Sequence, residues 1–422
     1  MARPKKTSPV SSLREKPNSP PEKRERSFPW RHLIAVGLIA GVAFLIYSNT
    51  FSVPFQFDDR SNITQNPNVQ IKVFTWDSFE RFMKNTYKES IRLFAYFTLA
   101  LNYYFGEFNV FGYHLVNLLV HIFAGISLYG FLILTFRLPS LREKYGAISY
   151  KVALFAGLIF ISHPIQTQSV TYIVQRMASM AGMFYLLTFI LYIKGRLAHG
   201  KVRLLYLGGA LLGYLLGVFS KENTAILPLF IALYEFYFIQ NMDLSPKGKK
   251  SLFILIGSLV LIGGIGLLVW GSRYLQVIVE GYQERPFTLS ERMLTQFRVV
   301  LYYLTLLVYP HPSRLNLDYD FVTSKSLLDP PTTLISILVV LGLVGYGVWV
   351  ARKRPLVSFC ILWYFGNLVI ESSIFPLEMV FEHRLYLPSI GPFILFSLGV
   401  VTGVEKWKER GVTKKGVEWG KG

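Results

Sequence analysis

Cysteine is nearly absent from this chain of 422 residues, and the single one, Cys360, lies within an apolar run. Disulfides therefore cannot brace the loops, and metal sites built on several thiolates are excluded. The chain also lacks a glycine-rich phosphate loop, and no order of Ser, His and Asp suggests a catalytic triad. These absences disfavour nucleotide hydrolysis and the use of cytoplasmic nucleotide sugars.

Acidic residues are also few, with 25 Asp and Glu against 44 Lys and Arg and a net charge of +19. The basic residues lie in short clusters between apolar runs, not along one face or among stacking aromatics, so no nucleic acid partner is predicted. With 52% hydrophobic and 16% aromatic residues, the composition is typical of a protein embedded in lipid. We predict an all-α polytopic membrane protein.

Ten apolar segments have about the 17 to 25 residues that a membrane span needs. They cover residues 33–51, 112–136, 152–168, 177–194, 204–220, 224–240, 251–270, 332–350, 356–375 and 388–404. With ten spans, 29 of the 44 Lys and Arg fall on one side together with both termini, which marks that side as cytoplasmic. An eleventh candidate, 294–310, is therefore placed on the outer surface, and 91–105 is predicted as a second interfacial helix.

The same reading divides the chain into three parts. Residues 1–31 are expected to be a disordered basic tail in the cytoplasm, because they lack apolar content. Residues 32–404 form the membrane domain, and 405–422 form a second basic cytoplasmic tail.

Six separate stretches deliver ionisable residues to the predicted outer face. The candidate site residues are Asp58 and Asp59, His163 and Arg176, Lys221 and Glu222, Arg298, Asp318, and Glu382, His383 and Arg384. Each alone could be a solvated loop residue or a helix-end anchor. Together, with both signs of charge near the acyl boundary, they predict a shared polar cavity.

Such a cavity suits a lipid-linked sugar, which presents an anionic phosphate at the membrane and a neutral polar group in water. Arg384, Lys221, Arg176 or Arg298 would bind the phosphate and offset its developing charge. Asp58 is predicted to be the general base that deprotonates an acceptor hydroxyl, with Asp59 as an orienting carboxylate. The competing explanation is that either Asp caps the following turn.

Metal ligation is not predicted, and no cofactor is predicted. His114 and His121 lie on one helical face, but no third ligand has matching spacing, so a polar pair lining the bundle is favoured. Asp318 and Asp320 could coordinate a divalent cation together with a phosphate, although a capped turn is the commoner arrangement. A divalent cation is therefore left open.

Six motifs in fixed order are more specific than the acidic pair alone. These are FDDRSNITQNPNV, GYHLVNLLVH, HPIQTQSVTYIVQR, SKEN, LNLDYD and EHRLYLPS. They resemble the membrane portion of the transmembrane-and-tetratricopeptide protein O-mannosyltransferase-like proteins and their bacterial relatives, which are GT-C glycosyltransferases. The resemblance covers residues 50–400.

The resemblance implies a GT-C bundle, an acidic catalytic motif at Asp58 and Asp59, and an inverting transfer from a polyprenyl-phosphate sugar on the non-cytoplasmic face. A bacterial inner membrane is the expected location. Only about 18 residues follow Val404, without the helical repeats of many relatives. The acceptor is therefore left open among a protein, a glycan and a lipid. Two rival functions are a flippase for lipid-linked saccharides and a polymerase or ligase of polyprenyl-linked glycans.

Overall fold

The computed structural model describes residues 30–243 and 278–419, and between these ranges only isolated positions. The regular secondary structure of the described part is helical, and it contains no strand. Its α-helices are α1 (Trp30–Tyr47), α2 (Trp76–Glu89), α3 (Leu93–Gly106), α4 (Val110–Phe136), α5 (Pro139–Tyr145), α6 (Ser149–Ser162), α7 (Thr167–Thr171), α8 (Arg176–Leu197), α9 (Gly200–Val218), α10 (Leu227–Tyr234), α11 (Leu289–Val308), α12 (Thr332–Val350), α13 (Pro355–Leu368) and α14 (Ile390–Trp419). The predicted all-α polytopic class is confirmed.

Seven helical segments in the described residues are long and apolar enough to cross a membrane. They are Trp30–Thr50, Val110–Phe136, Pro139–Ser162, Ile173–Leu197, Gly200–Val218, Thr332–Val350 and Ile390–Arg410. Each coincides with one of the ten predicted spans. The third ends at Ser162, because Pro164 has no backbone N–H to continue an α-helix beyond the His163 turn.

Three predicted spans differ from this set. The segment 356–375 contains the shorter helix α13, which ends at Leu368. In 224–240, a 3₁₀ turn at Glu222–Ile226 precedes α10, which continues as a π-helix over Glu235–Ile239. Apart from isolated positions, the predicted span 251–270 lies outside the described residues, and residues 1–29 of the predicted N-terminal tail lie wholly outside them.

The bundle is held by an aromatic core around Trp363 of α13, which is almost fully buried. Its ring centroid lies within 6.4 Å of the centroids of five other aromatic rings, those of Phe131, Tyr185, Phe189, Phe230 and Phe359. The indole N–H donates to the Leu387 carbonyl oxygen at 2.7 Å. This bond ties α13 to the segment before α14, because an indole donor buried without a partner would be costly.

The two predicted interfacial elements are helices in the structure, and neither counts among the apolar spans of the described residues. Helix α11 begins at a capping box, in which Thr288 accepts from the Glu291 backbone N–H and Glu291 accepts from that of Thr288. Helix α3 has 14 residues and packs with α2, which starts at a similar box at Thr75. Whether α3 and α11 lie in the membrane interface stays a prediction.

Candidate active site

The acidic pair lies on a strained turn that directs its two carboxylates differently. Phe57, just before the pair, has a positive φ of 39°, a conformation unfavourable for a bulky residue and most often found at functional sites. Asp58 is exposed, whereas Asp59 is 1% exposed. Asp59 does not cap the next helical turn through its side chain.

Both Asp59 oxygens are engaged by backbone donors. Oδ2 accepts from the Gln56 N–H at 3.0 Å, and Oδ1 accepts from the Val174 N–H at 2.7 Å. The Asp58 N–H donates to the Tyr172 hydroxyl at 2.7 Å. The first loop is therefore fastened to segment 172–174, just before α8, and the exposed Asp58 side chain also interacts with the Tyr172 hydroxyl.

Burial raises the pKa of Asp59 to about 6, and the neighbouring Asp58 charge adds to this effect. The hydrogen bonds from Gln56, Val174 and Ile173 act in the opposite direction, because they stabilise the carboxylate. Asp59 therefore titrates near neutral pH.

A second group of ionisable residues lies at the same end of the bundle, which we call the site end. Arg92, at the start of α3, forms a two-oxygen ion pair with Glu222 at 2.8 and 3.0 Å. Lys221 is buried, and its Nζ lies 2.5 Å from Oε1 of the buried Glu371. Lys221 and Glu222 are adjacent in the SKEN motif, yet each pairs with an opposite charge on a different segment of the chain.

Two further arginines complete what we call the cation cluster, namely Arg92, Lys221, Arg292 and Arg384. Arg384 is buried, donates to the Met379 carbonyl oxygen at 3.1 Å and lies over the Phe381 ring at 5.3 Å. Arg292 is fully buried and donates to backbone carbonyls from Glu371 to Glu378. Four cations against the two carboxylates Glu222 and Glu371 leave a surplus of two positive charges.

The protonation state of His383 reflects the positive charge of its surroundings. Burial first, and then the positive charges of Lys221, Arg384 and Arg92, lower the pKa of His383 well below its usual value. Its Nδ1 lies 3.3 Å from Gln168 Oε1. The imidazole is therefore neutral at physiological pH, and the site holds its positive charge on Lys and Arg.

Several buried polar atoms in this cluster have no hydrogen-bond partner within the part of the chain that the structure describes. They are Glu371 Oε2, Asn223 Oδ1, Thr224 Oγ1 and Ser372 Oγ. Lys221 has only its ion pair with Glu371 there, although an ammonium group carries three hydrogens. Unpartnered buried polar atoms are costly, and a bound polar ligand would satisfy them.

Tyr96 connects the acidic pair to the cation cluster. Its hydroxyl donates to Asn62 Oδ1 at 2.5 Å, and Asn62 Nδ2 donates to the Asp58 carbonyl oxygen at 2.7 Å. The Tyr96 hydroxyl also lies in the electrostatic field of both Arg92 and Asp58. The turn that carries Asp58 and the Arg92 end of the cation cluster are thus linked through Asn62 and Tyr96.

The last two sequence motifs, LNLDYD and EHRLYLPS, contact each other at the site end. The Tyr319 hydroxyl oxygen lies 2.7 Å from Oε1 of the buried Glu382, and burial raises the pKa of Glu382 to about 7. Gln168 donates to the Asn316 carbonyl oxygen at 2.8 Å and accepts from the His383 N–H at 3.2 Å. Asp318 is exposed on the same segment.

Three of the predicted substrate ligands are engaged elsewhere. Arg176 is fully buried and donates to Asn117, Asn102 and the carbonyls of Thr98 and Tyr113. Arg298 binds the Val322 carbonyl oxygen at 2.7 Å, and His163 lies 3.1 Å from that of Leu307. A phosphate contact by any of them would replace these bonds, so their binding roles stay predictions that no contact supports.

Sequence reasoning did not select Arg92, Arg292 or Glu371 for the site. A usable signal existed for two of them, because Arg92 is the first charge before an apolar helix and Glu371 ends an apolar run. Arg292 gave no such signal. Its position follows from the packing of α11 on segment 371–378, which no local pattern predicts.

In the part of the chain that the structure describes, no three His, Cys, Asp or Glu residues come together as a metal site. His114 Nε2 lies 2.8 Å from the Val53 carbonyl oxygen, and His121 Nδ1 lies 2.8 Å from the Tyr386 hydroxyl. A divalent cation stays an open expectation.

Comparison with known proteins supports the motif resemblance. The chain is 26% identical over 411 residues to protein O-mannosyl-transferase F38B6.6 of Caenorhabditis elegans, which covers 90% of this chain and 52% of the relative. It is 26% identical to human protein O-mannosyl-transferase TMTC3, over 91% of this chain and 44% of the relative. Against protein O-mannosyl-transferase tmtc2 of Xenopus laevis it is 31% identical, over 38% of this chain.

No family model matches the chain, and no solved structure matches it. The class that fold and site define is a polytopic helical membrane protein with an acidic pair beside a buried cation cluster. Within that class, the chain is similar to curated protein O-mannosyl-transferases of the TMTC type, as the six motifs predicted. It spans about half the length of the worm relative and less of the others.

Proposed function

We propose that this protein is a GT-C type glycosyltransferase that moves one sugar from a polyprenyl phosphate to an acceptor hydroxyl on the non-cytoplasmic face of the membrane. The names of the relatives make mannose the first sugar to test and a protein hydroxyl the first acceptor. The arrangement that carries the proposal is the exposed Asp58 carboxylate beside a buried cluster with surplus positive charge.

In the proposed reaction, Asp58 removes the proton of the acceptor hydroxyl as its oxygen bonds to the anomeric carbon. The bond between that carbon and the phosphate oxygen breaks, and its electron pair leaves with the phosphate. Lys221 and Arg384 offset the charge that develops there, and a buried cation is more effective in this role than a solvated one. Attack opposite the leaving group inverts the anomeric configuration.

Asp59 has the proposed role of holding Asp58 in place. Its two oxygens accept from the Gln56 N–H of the same loop and from the Val174 N–H just before α8, so the ionised form fixes the conformation that follows the strained Phe57. The exposure of Asp58 and the burial of Asp59 therefore favour Asp58 as the base and Asp59 as the orienting carboxylate, and not the reverse.

The activity can be tested with purified protein in liposomes, given a polyprenyl-phosphate mannose and a hydroxyl-bearing peptide. We expect mass spectrometry to show the peptide plus one hexose, with the opposite anomeric configuration from the donor. Transfer of a whole glycan chain would indicate a polymerase or ligase instead. Movement of the lipid-linked sugar across the bilayer without a product would indicate a flippase.

The proposed sidedness has a separate test, because the only native cysteine, Cys360, is buried. Single cysteines replace Lys84 on α2 and Arg352 after α12, both exposed. A membrane-impermeant maleimide applied to intact cells should label position 84 and not position 352. The opposite result would place the acidic pair on the cytoplasmic side and remove the proposal.

A further inference from the structure

We propose that Glu382 is held as a neutral carboxylic acid, and that its proton completes a hydrogen-bond chain fastening segment 314–320 to the turn that carries His383 and Arg384. Glu382 is then a positioning residue for the cation cluster. Its carboxyl proton has a structural role, which differs from binding substrate.

The first observation is the count of hydrogens around the Tyr319 hydroxyl. Its oxygen lies 2.7 Å from Glu382 Oε1 and 3.0 Å from the Arg314 carbonyl oxygen, and it accepts from the Asn316 N–H at 3.3 Å. A phenol has one hydrogen, which cannot serve both the carbonyl and a carboxylate. If Glu382 is protonated, it donates to Tyr319, and Tyr319 donates to the Arg314 carbonyl.

The second observation is the lack of positive compensation near the Glu382 carboxyl, although cations lie on the same turn. Arg384 donates to the Met379 carbonyl oxygen and lies over the Phe381 ring. Arg314, on the packed segment, donates to the Tyr309 carbonyl oxygen at 3.0 Å and lies over the ring of Tyr302.

The other polar groups facing this region carry no positive charge. From α7, Gln168 binds His383 and the Asn316 carbonyl, and the neighbouring His383 is neutral. Asp318, on the packed segment, is exposed. Burial raises the pKa of Glu382 to about 7, although the hydrogen bonds from Tyr319 and the Asn316 N–H act in the opposite direction. Because no cation lies beside this buried carboxyl group, the protonated acid is the stable form below that pH.

The hydrogen-bond chain from Glu382 through Tyr319 has a consequence for the site. Tyr319 and Gln168 fasten the LNLDYD segment to residues 382 and 383, directly beside Arg384. Loss of the Glu382 proton would leave the Tyr319 hydrogen shared between two acceptors and a buried negative charge beside it. We expect segment 314–320 to loosen and Arg384 to lose its fixed position as pH rises through about 7.

The test compares Glu382→Gln, which mimics the neutral acid and retains a donor, with Glu382→Ala. The folded pKa lies above the unfolded value of about 4.3, so the stability from this proton is fully present below that value and is lost as pH rises through about 7. The wild-type melting midpoint should therefore fall over this range, and Glu382→Gln should lack that component. Glu382→Ala should lower the midpoint at pH 6 by about 2–4 °C.

Infrared difference spectra of wild type minus Glu382→Gln at pH 6 should show the carbonyl band of a protonated carboxylic acid. Parallel pH profiles of the melting midpoint, or a carboxylate band alone at pH 6, would overturn the proposal. An activity arm rests on the proposed function: transfer by the wild type should decline above pH 7, and transfer by Glu382→Gln should not. If no transfer is detected at all, the melting and infrared results still decide the state of Glu382.

Discussion

Two partly buried groups of ion pairs lie at opposite ends of helix α8, and they differ in how completely their charges and hydrogen-bonding atoms are paired. At the site end, Arg176 begins the helix, and Arg196 lies 20 residues later, about 30 Å away along the axis. Arg196 contacts Glu235 at 2.6 and 3.0 Å, and Tyr192 and Gln240 also donate to Glu235, at 2.6 and 3.2 Å. One carboxylate and one guanidinium cancel there, and both carboxylate oxygens are bonded.

The cation cluster at the site end lacks this balance. Four cations face two carboxylates, and buried polar atoms such as Glu371 Oε2 have no partner among the described residues. Charge that is buried in excess costs stability, so the pairing of charges alone does not account for this cluster. The comparison therefore separates a balanced ion pair from an unbalanced cluster, and the second arrangement is the one that the proposed anionic donor would need.

The largest expected effect follows from removing the proposed base. Asp58→Asn keeps the size and backbone bonds of the residue but cannot accept a proton, so we expect transfer to fall by about 10²–10⁴-fold with an unchanged melting midpoint. Asp77→Asn, an exposed acid on α2 of the same loop, is the matched control and should retain activity. Undiminished turnover by purified Asp58→Asn would remove the catalytic assignment.

The next effect concerns the surplus charge itself. Arg384→Met should lower kcat/KM for the lipid donor by about 10²-fold, because it removes charge that offsets the leaving phosphate. Since the cluster has excess positive charge, the same change should cost little stability. Lys84→Met, on the exposed face of α2, is the control for loss of a cation. A large fall in the melting midpoint with normal kcat/KM would make Arg384 a structural residue.

A smaller effect is expected from pH. Because burial raises the pKa of Asp59 to about 6, activity should decline about tenfold per pH unit below that value, as the orienting carboxylate is protonated. The stability contribution has the opposite direction, since a folded pKa above the unfolded one favours the folded state at low pH. Asp59→Asn should have low activity at every pH and no such inflection. An unshifted wild-type profile in Asp59→Asn would contradict this role.

Much of the fold was predictable, because long apolar runs and clustered basic residues are strong signals. The seven spans found in the described residues coincide with predicted ones, and the shortened α13 shows the usual uncertainty at ends. The sequence also selected most of the residues that meet at the site end. It did not predict that Arg176 would be occupied by Asn117 and Asn102, because a charge near a span end is equally suited to a ligand or to a buried network.

The smallest effect on activity is expected at the balanced pair, where the comparison is sharpest. Glu235→Gln leaves Arg196 with a weaker acceptor at the end of α8 remote from the site, so the free energy of unfolding should fall by about 1–3 kcal/mol. Turnover per folded molecule should equal that of the wild type, because neither residue approaches Asp58 or the cation cluster. The measurement is a melting midpoint together with kcat/KM on the folded fraction. If Glu235→Gln reduced kcat/KM as much as Arg384→Met does, charge balance would not distinguish a structural ion pair from a ligand site in this protein.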